Sequence, residues 1–344
     1  MVESAKDQLG TPKPTTQRLT YMAFAFKQTW TLVTAIQLDL FSKLSEGANK
    51  ATEIGQVLGL PLEVVDKLVT ACTALGLLEK REDGYYNAAD VDRYLVRGKP
   101  AYYGDFLSLE ATGESDLWKQ LGMAVRQPQK TTGIYEHLVV GDPNLAYMFT
   151  MAGFNSSIAA ARKLTREFDF SPYSLYLDLG GGSGCYSIAA VRKHPNLRAI
   201  VFDFPNVCPA AEDFIAHAGL SDRITTHAGD FLVDELPKGA DVVSLISCLY
   251  ACTPEETEFA IKKVFNTVTP GGSMICIDYT LNDERTGPLE PALRHLESLA
   301  ASTKGWVHSK AEMAEYMRRA GFTDIFADEF IPGSLGRIIA RKPK

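Results

Sequence analysis

The sequence predicts an α/β protein in which an open, mainly parallel sheet follows a helical N-terminal domain. At 176–184 an apolar strand pattern runs into a glycine-rich turn, and a helical pattern starts at Ser187. Further near-continuous apolar runs follow, as expected of parallel strands that are covered by helices on both faces. These runs occupy 199–202, 224–231, 241–246 and 270–278.

Length and composition restrict the class of protein. With 344 residues, the chain is long enough for two domains. A net charge of -7 argues against a nucleic-acid partner. The sequence has no apolar stretch of about 20 residues, which argues against a membrane span. The six cysteines are scattered, which predicts free thiols in the cytoplasm and no metal site.

The first hundred residues predict a winged-helix layout of helices followed by a hairpin that turns at Asp83-Gly84. The predicted helices and hairpin occupy 18–45, 52–58, 61–72 and 77–86. A DNA-binding version of this layout needs basic residues on its recognition helix. The third helix offers Lys67 against Glu63 and Asp66, so the charge pattern argues against DNA binding.

The glycine spacing separates the nucleotide-binding folds that use such a turn. Gly180, Gly182 and Gly184 follow G-x-G-x-G, so the third glycine comes one residue too early for the dinucleotide pattern. A P-loop also needs a lysine, and none follows. Asp178 would repel a phosphate but suit an ammonium group. Asp203 ends the next strand about twenty residues later, where doubly wound folds bind ribose hydroxyls with a carboxylate.

The ordered motifs resemble those of class I S-adenosylmethionine-dependent methyltransferases, and of the plant-type O-methyltransferase family in particular. Residues 178–184 resemble motif I, D-x-G-x-G-x-G, and 203–207 resemble the family signature D-L-P-x-V. The Gly-Asp-Phe at 229–231 resembles the element that holds the adenine in that family. The resemblance continues through 118–126 and 147–151, so it covers nearly the whole chain.

This resemblance implies a Rossmann-like domain with a mainly parallel seven-stranded sheet and S-adenosyl-L-methionine as cofactor, with S-adenosylhomocysteine as product. It also implies a homodimer formed through the winged-helix domain and a small-molecule substrate. The implied segments are a dimerisation domain at 1–100, a helical wall of the active site at 101–165 and a methyltransferase domain at 166–344. The implied cofactor-binding residues are Asp178, Gly180, Gly182, Asp203, Phe204, Asp230, Phe231, Ser247 and Asn155.

The chain departs from the family pattern where the catalytic base is expected. Family members carry a histidine in a His-Asp-Trp element that follows the fourth strand and precedes a helix. Here Thr253-Pro-Glu-Glu256 predicts the N-terminal cap of that helix, which fixes the register. Tyr250 then occupies the place of the histidine, and Val307 lies where the supporting glutamate would be.

The missing base favours an acceptor that attacks without prior loss of a proton. A phenol, with a pKa near ~10, gains roughly 10²–10⁴-fold from a positioned base. A thioether sulfur or an electron-rich ring carbon needs none. The main hypothesis is therefore S-methylation of a thioether hydroxy acid such as methylthiohydroxybutyrate, as in dimethylsulfoniopropionate synthesis. The alternatives are C-methylation of a tetrapyrrole, as at C-20 of bacteriochlorophyllide, O-methylation of a small hydroxylated substrate, and cofactor binding without catalysis.

Aromatic and basic side chains predict the substrate site. Aromatic faces attract a sulfonium through cation–π interaction, so the expected catalytic residues are Tyr250, Trp306 and Tyr147. Arginine matches a substrate carboxylate best, which selects Arg294, with His295 as an alternative and His308 as a displaced base. The remaining expected substrate contacts, on the helical wall, are Met151, Tyr102 and Tyr103.

Overall fold

The computed structural model describes residues 15–128, 143–301 and 304–344. The chain divides into two units, Met1–Ala111 and Thr112–Lys344. The boundary falls inside a long helix, so the wall predicted as a separate segment at 101–165 stays a prediction. Among the helices in the described part of the chain, none is long and apolar enough to cross a bilayer.

The first unit contains helices followed by a hairpin, the order that the sequence predicts. One face of its fourth helix is buried at Val65, Val69 and Cys72, which share a core with Ile54 and Phe41. In order, the elements are α1 Gln17–Gln37, α2 Leu40–Ser45, α3 Ala51–Leu58, α4 Leu62–Ala74, β1 Leu78–Arg81, β2 Gly84–Asn87, α5 Ala89–Tyr94 and α6 Gly104–Arg126, which continues into the second unit.

The helix predicted at 18–45 is in fact two helices. Asp39 adopts a left-handed conformation between α1 and α2, with φ at 57°. Its carboxylate accepts a hydrogen bond from the hydroxyl of Ser42 at 2.6 Å. Asp tolerates this conformation better than most residues because its short side chain bonds locally, and that local bond is invisible to a periodicity argument.

The hairpin turns one residue earlier than predicted, at Glu82 and Asp83. Gly84 already pairs with Arg81 in the antiparallel ladder. The glycine is needed for a different reason: a side chain at this position would lie 2.6 Å from the carbonyl oxygen of Asn49. Close packing of the chain, and not the turn geometry, therefore explains this residue.

The second unit is built on the expected seven-stranded, mainly parallel sheet, with strand order β5-β4-β3-β6-β7-β9-β8. The first five strands of this order are parallel, and β9 runs antiparallel to both β7 and β8. The elements are α7 Pro143–Glu167, β3 Leu175–Leu179, α8 Cys185–Lys193, β4 Arg198–Asp203, α9 Cys208–His217, β5 Ile224–Ala228, β6 Val242–Ile246, a 3₁₀ turn Leu249–Ala251, α10 Pro254–Thr267, β7 Ser273–Tyr279, α11 Leu289–Ala300, α12 Lys310–Ala320, β8 Thr323–Ile331 and β9 Leu335–Arg341.

Helices cover both faces of this sheet. Tyr176 packs into a core that includes residues of α7 and α8, whereas Leu177 and Leu179 pack on the opposite face with residues of α10 and α12. Burial on both faces leaves the carboxyl edge of the parallel strands as the place where a ligand can approach the backbone. The side chains that follow β3, β4, β5, β6 and β7 therefore form the candidate site.

Candidate active site

The glycine loop after β3 forms a cradle. Gly180 and Gly182 have positive φ, at 63° and 54°, a conformation that suits glycine. A side chain at Gly180 would lie 3.2 Å from Cβ of Cys248 and 3.8 Å from the ring of Phe231. A side chain at this position would thus fill the space between Gly180, Cys248 and Phe231. Because glycine leaves this space open, the loop can accommodate a nucleoside.

Asp203 lies beside this loop, as the sequence predicts. One carboxylate oxygen accepts a hydrogen bond from the Gly182 N–H at 2.7 Å, and the other accepts from the Phe204 N–H at 2.7 Å. Burial raises the pKa of Asp203 to about 6, and the two N–H groups oppose that rise. The carboxylate is thereby fixed at the loop, where ribose hydroxyls would be bound in a doubly wound fold.

Other predicted cofactor residues surround the same edge. The carboxylate of Asp230 accepts from the Leu232 N–H at 2.8 Å, which shapes the turn that carries Phe231. Ser247 follows β6 in a left-handed conformation, with φ at 51°. Asn155 lies in α7 next to Phe154, whose carbonyl oxygen is 4.0 Å from Sγ of Cys185 at the start of α8.

Asp178 differs from its expected role as the partner of an ammonium group. One carboxylate oxygen accepts from the hydroxyl of Ser187 at 2.8 Å and the other accepts from Ser244 at 2.7 Å. The residue is 1% exposed, and burial raises its pKa. Its side chain therefore links β3 to α8 and β6 within the core. Because both oxygens already accept hydrogen bonds there, the carboxylate does not point to an open space where the ammonium group could bind.

Tyr250 belongs to a cluster of aromatic and charged side chains. Its ring meets the ring of Tyr279 edge-on, with centroids 5.3 Å apart. The guanidinium of Arg294 lies over both rings, 5.8 Å from Tyr250 and 5.2 Å from Tyr279. Arg294 also pairs with Glu297 at 2.8 Å, and both side chains are at most 20% exposed. We call these four residues the acceptor cluster.

Gly305 brings the segment of Trp306 against the turn of Tyr250. A side chain at Gly305 would lie 2.6 Å from the carbonyl oxygen of Tyr250. Trp306 then meets the ring of His295 edge-on at 4.7 Å. Nδ1 of His295 accepts from the Val307 N–H at 3.2 Å, so the neutral ring carries its proton on Nε2 and is a donor there. Burial lowers the pKa of His295.

His308, considered as a displaced base, is 3% exposed. Its Nε2 is 3.2 Å from the hydroxyl of Thr257, and its ring packs edge-on against Tyr316. Burial lowers the pKa of His308 to about 4, although Glu312 acts in the opposite direction. The imidazole is therefore neutral at physiological pH but enclosed between α10 and α12, which leaves it little access to an acceptor.

The remaining predicted residues lie outside the acceptor cluster. The hydroxyl of Tyr147 donates to Asp213 of α9 at 3.2 Å, and Met151 is 39% exposed on α7. Tyr102 and Tyr103 belong to the first unit. The former is buried and donates to Asp105 at 3.0 Å, and the latter stacks on Phe106. Among the residues that the structure describes, no group of three or more His, Cys, Asp or Glu side chains is arranged to hold a metal.

Sequence reasoning missed Glu297, Tyr279 and Asp278. Glu297 is three residues after Arg294, a spacing that places both side chains on one helix face, so a helical pattern at 289–300 contains that signal. Asp278 ends β7, and both of its carboxylate oxygens accept from backbone N–H groups. These partners lie in other elements or in the backbone, where local sequence gives no indication.

Comparisons with known proteins agree with this fold. An O-methyltransferase domain model matches residues 118–323, and an O-methyltransferase dimerisation domain model matches residues 21–98. The 3-hydroxy-5-methyl-1-naphthoate 3-O-methyltransferase of Streptomyces sahachiroi is 34% identical, over 94% of both chains. The L-tyrosine C(3)-methyltransferase of Streptomyces lavendulae is 32% identical, over 90% of this chain and 88% of the relative.

The fold is also that of a solved relative. The human N-acetylserotonin methyltransferase in complex with SAM superimposes with a TM-score of 0.84 over the whole of both chains, at 24% identity. The fold and the matched family model define a class I methyltransferase that depends on S-adenosylmethionine. The chain belongs to the O-methyltransferase family that carries an N-terminal dimerisation domain.

Proposed function

We propose that this enzyme transfers the methyl group of S-adenosylmethionine to a hydroxyl oxygen of a small aromatic acceptor, and that it works as a homodimer. The observation that carries the proposal is the acceptor cluster, in which an ion pair adjoins two tyrosine rings. The similarity to a naphthoate O-methyltransferase over nearly the full length supports the same chemistry.

The residues around the glycine cradle suit the cofactor. Gly180 and Gly182 allow the backbone to approach it, Asp203 would bind the ribose, and Asp230 with Phe231 would hold the adenine. When bound, S-adenosylmethionine supplies an electrophilic methyl group on a sulfonium. Cys248 lies at the cradle, and Tyr250 is two residues further on. The acceptor cluster is therefore continuous along the chain with the cofactor site.

The ion pair in the acceptor cluster offers both functions that a hydroxyl nucleophile needs. The carboxylate of Glu297 can accept the proton of the hydroxyl, and Arg294, with five N–H donors on its guanidinium, can stabilise the charge that develops on the oxygen. Glu297 would take up the hydroxyl proton as the acceptor oxygen receives the methyl group. The rings of Tyr250 and Tyr279 give an aromatic acceptor a surface to pack against.

This proposal replaces the main hypothesis drawn from the sequence. S-methylation of a thioether hydroxy acid followed from the absence of a base at Tyr250, but no relative described above has that activity, whereas O-methylation is named in the family and in a close relative. Arg294, expected to bind a substrate carboxylate, forms an ion pair with Glu297, and its contact with a substrate carboxylate stays a prediction. A second function, methylation of an electron-rich ring carbon, is favoured by the similarity to the L-tyrosine C(3)-methyltransferase.

The test is a competition between nucleophiles. The purified protein is incubated with methyl-labelled cofactor and a panel of hydroxylated aromatics, methylthiohydroxybutyrate and a chlorophyllide. Mass spectrometry with fragmentation then locates the label. Label on a phenolic oxygen, lost in Glu297→Gln, is the expected result. Label on sulfur would return the first hypothesis, label on a ring carbon would select the second function, and label that persists in Glu297→Gln would remove Glu297 as the base.

A further inference from the structure

The carboxylate of Asp278 holds the turn that carries Tyr250. Asp278 is 3% exposed at the carboxyl end of β7. One oxygen accepts from the Leu249 N–H at 2.8 Å and from the Tyr250 N–H at 3.2 Å. The other oxygen accepts from the Tyr279 N–H at 2.8 Å. A single side chain thus fixes the backbone on which both rings of the acceptor cluster are mounted.

This arrangement matters because the turn is short and irregular. Leu249–Ala251 is a single 3₁₀ turn after β6, and such a segment has little hydrogen bonding of its own. Leu249 is 0% exposed, so its N–H has no access to water and requires an acceptor. Hydrogen bonds to a charged acceptor are the stronger kind, and Asp278 provides them from the neighbouring strand.

We propose that Asp278 is a positioning residue for methyl transfer, which acts by holding the rings of Tyr250 and Tyr279 at the place where the acceptor meets the cofactor. The proposal rests on the methyltransferase activity and on the assignment of the acceptor cluster, but not on the chemical class of the acceptor. Asp278 would act through the turn and not through direct contact with substrate or cofactor. Asp278 thereby sets the positions of Tyr250 and Tyr279, which line the acceptor site.

A second carboxylate in the same sheet provides a matched control. Asp241 lies at the opposite, amino edge, just before β6. One of its oxygens accepts from the Ser174 N–H at 2.8 Å and from the Leu175 N–H at 3.1 Å. The other accepts from the hydroxyl of Thr269 at 3.2 Å. Asp241 therefore anchors backbone in the same manner, at the edge of the sheet that is remote from the glycine loop.

The experiment compares Asp278→Asn with Asp241→Asn. An amide has one acceptor oxygen, so Asp278→Asn turns an NH₂ group toward one of the two sets of backbone N–H groups. We expect kcat to fall by about a hundredfold, the size of effect that a misplacement near 1 Å produces, with the Kd of S-adenosylmethionine unchanged. Asp241→Asn is expected to keep the wild-type kcat. The acceptor is whichever member of the nucleophile panel is methylated, so a wrong acceptor class does not affect this test.

Hydrogen exchange gives the readout at the turn itself. Amide exchange at Leu249 and Tyr250 should become faster in Asp278→Asn and remain slow in Asp241→Asn. Unchanged exchange in the first variant would overturn the anchor, and unchanged kcat with faster exchange would reduce it to a purely structural role. If Asp278→Asn does not fold, Asp278→Glu keeps the buried charge and moves the acceptor by one methylene. A wild-type kcat in that variant would overturn the proposal.

Discussion

The carboxylate of Asp203 joins the end of β4 to the glycine loop after β3. Replacing it with the isosteric Asn removes a charged acceptor that would meet the ribose hydroxyls. Hydrogen bonds to charged groups contribute about 1.5–3 kcal/mol, so Asp203→Asn should weaken cofactor binding by roughly 10- to 100-fold. Isothermal titration calorimetry with S-adenosylhomocysteine measures this directly, with Asp241→Asn at the remote edge of the sheet as the control.

Because of the same carboxylate, we expect cofactor binding to depend on pH. Since burial raises the pKa of Asp203 to about 6, the residue is charged above that pH and neutral below it. The charged form is the better acceptor for ribose hydroxyls, so cofactor affinity should fall as the pH falls through about 6. Asp203→Asn should remove this dependence. Wild-type affinity that is constant between acidic and neutral pH would show that protonation of Asp203 does not control cofactor binding.

Protonation of His308 should limit stability in acid. Its pKa in the folded protein, about 4, lies below the ordinary value of 6.5. The folded state therefore holds the ring neutral, while the unfolded state takes up a proton below pH 6.5. The contribution is present above pH 6.5 and is lost as the pH falls toward 4, by up to about 3 kcal/mol.

The variant His308→Gln checks this linkage, because an amide can still bond to Thr257 without taking up a proton. Chemical denaturation from pH 7 down to pH 4 should show a shallower loss of unfolding free energy in this variant than in the wild type. His217→Gln, at an exposed position of α9, serves as the control and should keep the wild-type slope. Parallel slopes in all three proteins would show that His308 is not the group responsible.

The segment at Gly305 and Trp306 packs closely against the 3₁₀ turn that carries Tyr250, and this contact shapes the acceptor site. A methyl group at Gly305 would lie 2.6 Å from the Tyr250 carbonyl oxygen and 3.4 Å from Cα of Ala251. Gly305→Ala must therefore push the Trp306 segment away from the turn, at a cost of about 1–3 kcal/mol for overpacking. We expect a lower melting temperature and a lower kcat, measured by calorimetry and by steady-state kinetics.

Gly113 provides the comparison for that variant. It lies inside α6, and a side chain there meets nothing within 4 Å. Gly113→Ala should stabilise the helix by roughly 0.5–1 kcal/mol, because glycine loses more conformational freedom on folding. If Gly305→Ala has the same melting temperature and kcat as Gly113→Ala, the Trp306 segment and the Tyr250 turn are not packed against each other as the structure describes.

The strands that the sequence predicts most directly are those with continuous burial, whereas β5 is predicted although only Ile224 in it is buried. β3 and β6 are buried almost throughout, so their apolar runs are continuous. β8 is an edge strand on which only Phe330 is buried, and it carries no comparable pattern. The same holds for the site. The glycine loop and Asp203 are local motifs, whereas Glu297 reaches the acceptor cluster only because α11 packs against β7.

At the scale of the whole molecule, one face of α1 is not covered by any other residue that the structure describes in the first unit. The first two-thirds of α1 expose large apolar side chains, although the last part of the same helix is buried at Val33 and Ile36. An exposed apolar surface of this kind marks an interaction site, and the region overlaps the matched dimerisation domain at 21–98. The exposed residues, between 42% and 65% accessible, are Leu19, Tyr21, Met22, Phe24, Phe26 and Trp30.

If this face of α1 forms the dimer interface, charged side chains introduced there should separate the two copies. The double variant Phe24→Glu and Phe26→Glu places two carboxylates where a second copy would bury apolar surface, and neither residue belongs to the core of the unit. Light scattering after gel filtration should give the mass of a monomer, with the melting transition of each chain retained. Phe326→Glu, which alters an exposed aromatic ring on the edge strand β8, should leave the dimer intact. A double variant that remains dimeric would move the interface away from α1, because two buried and unpaired charges cost more than such a contact can offset.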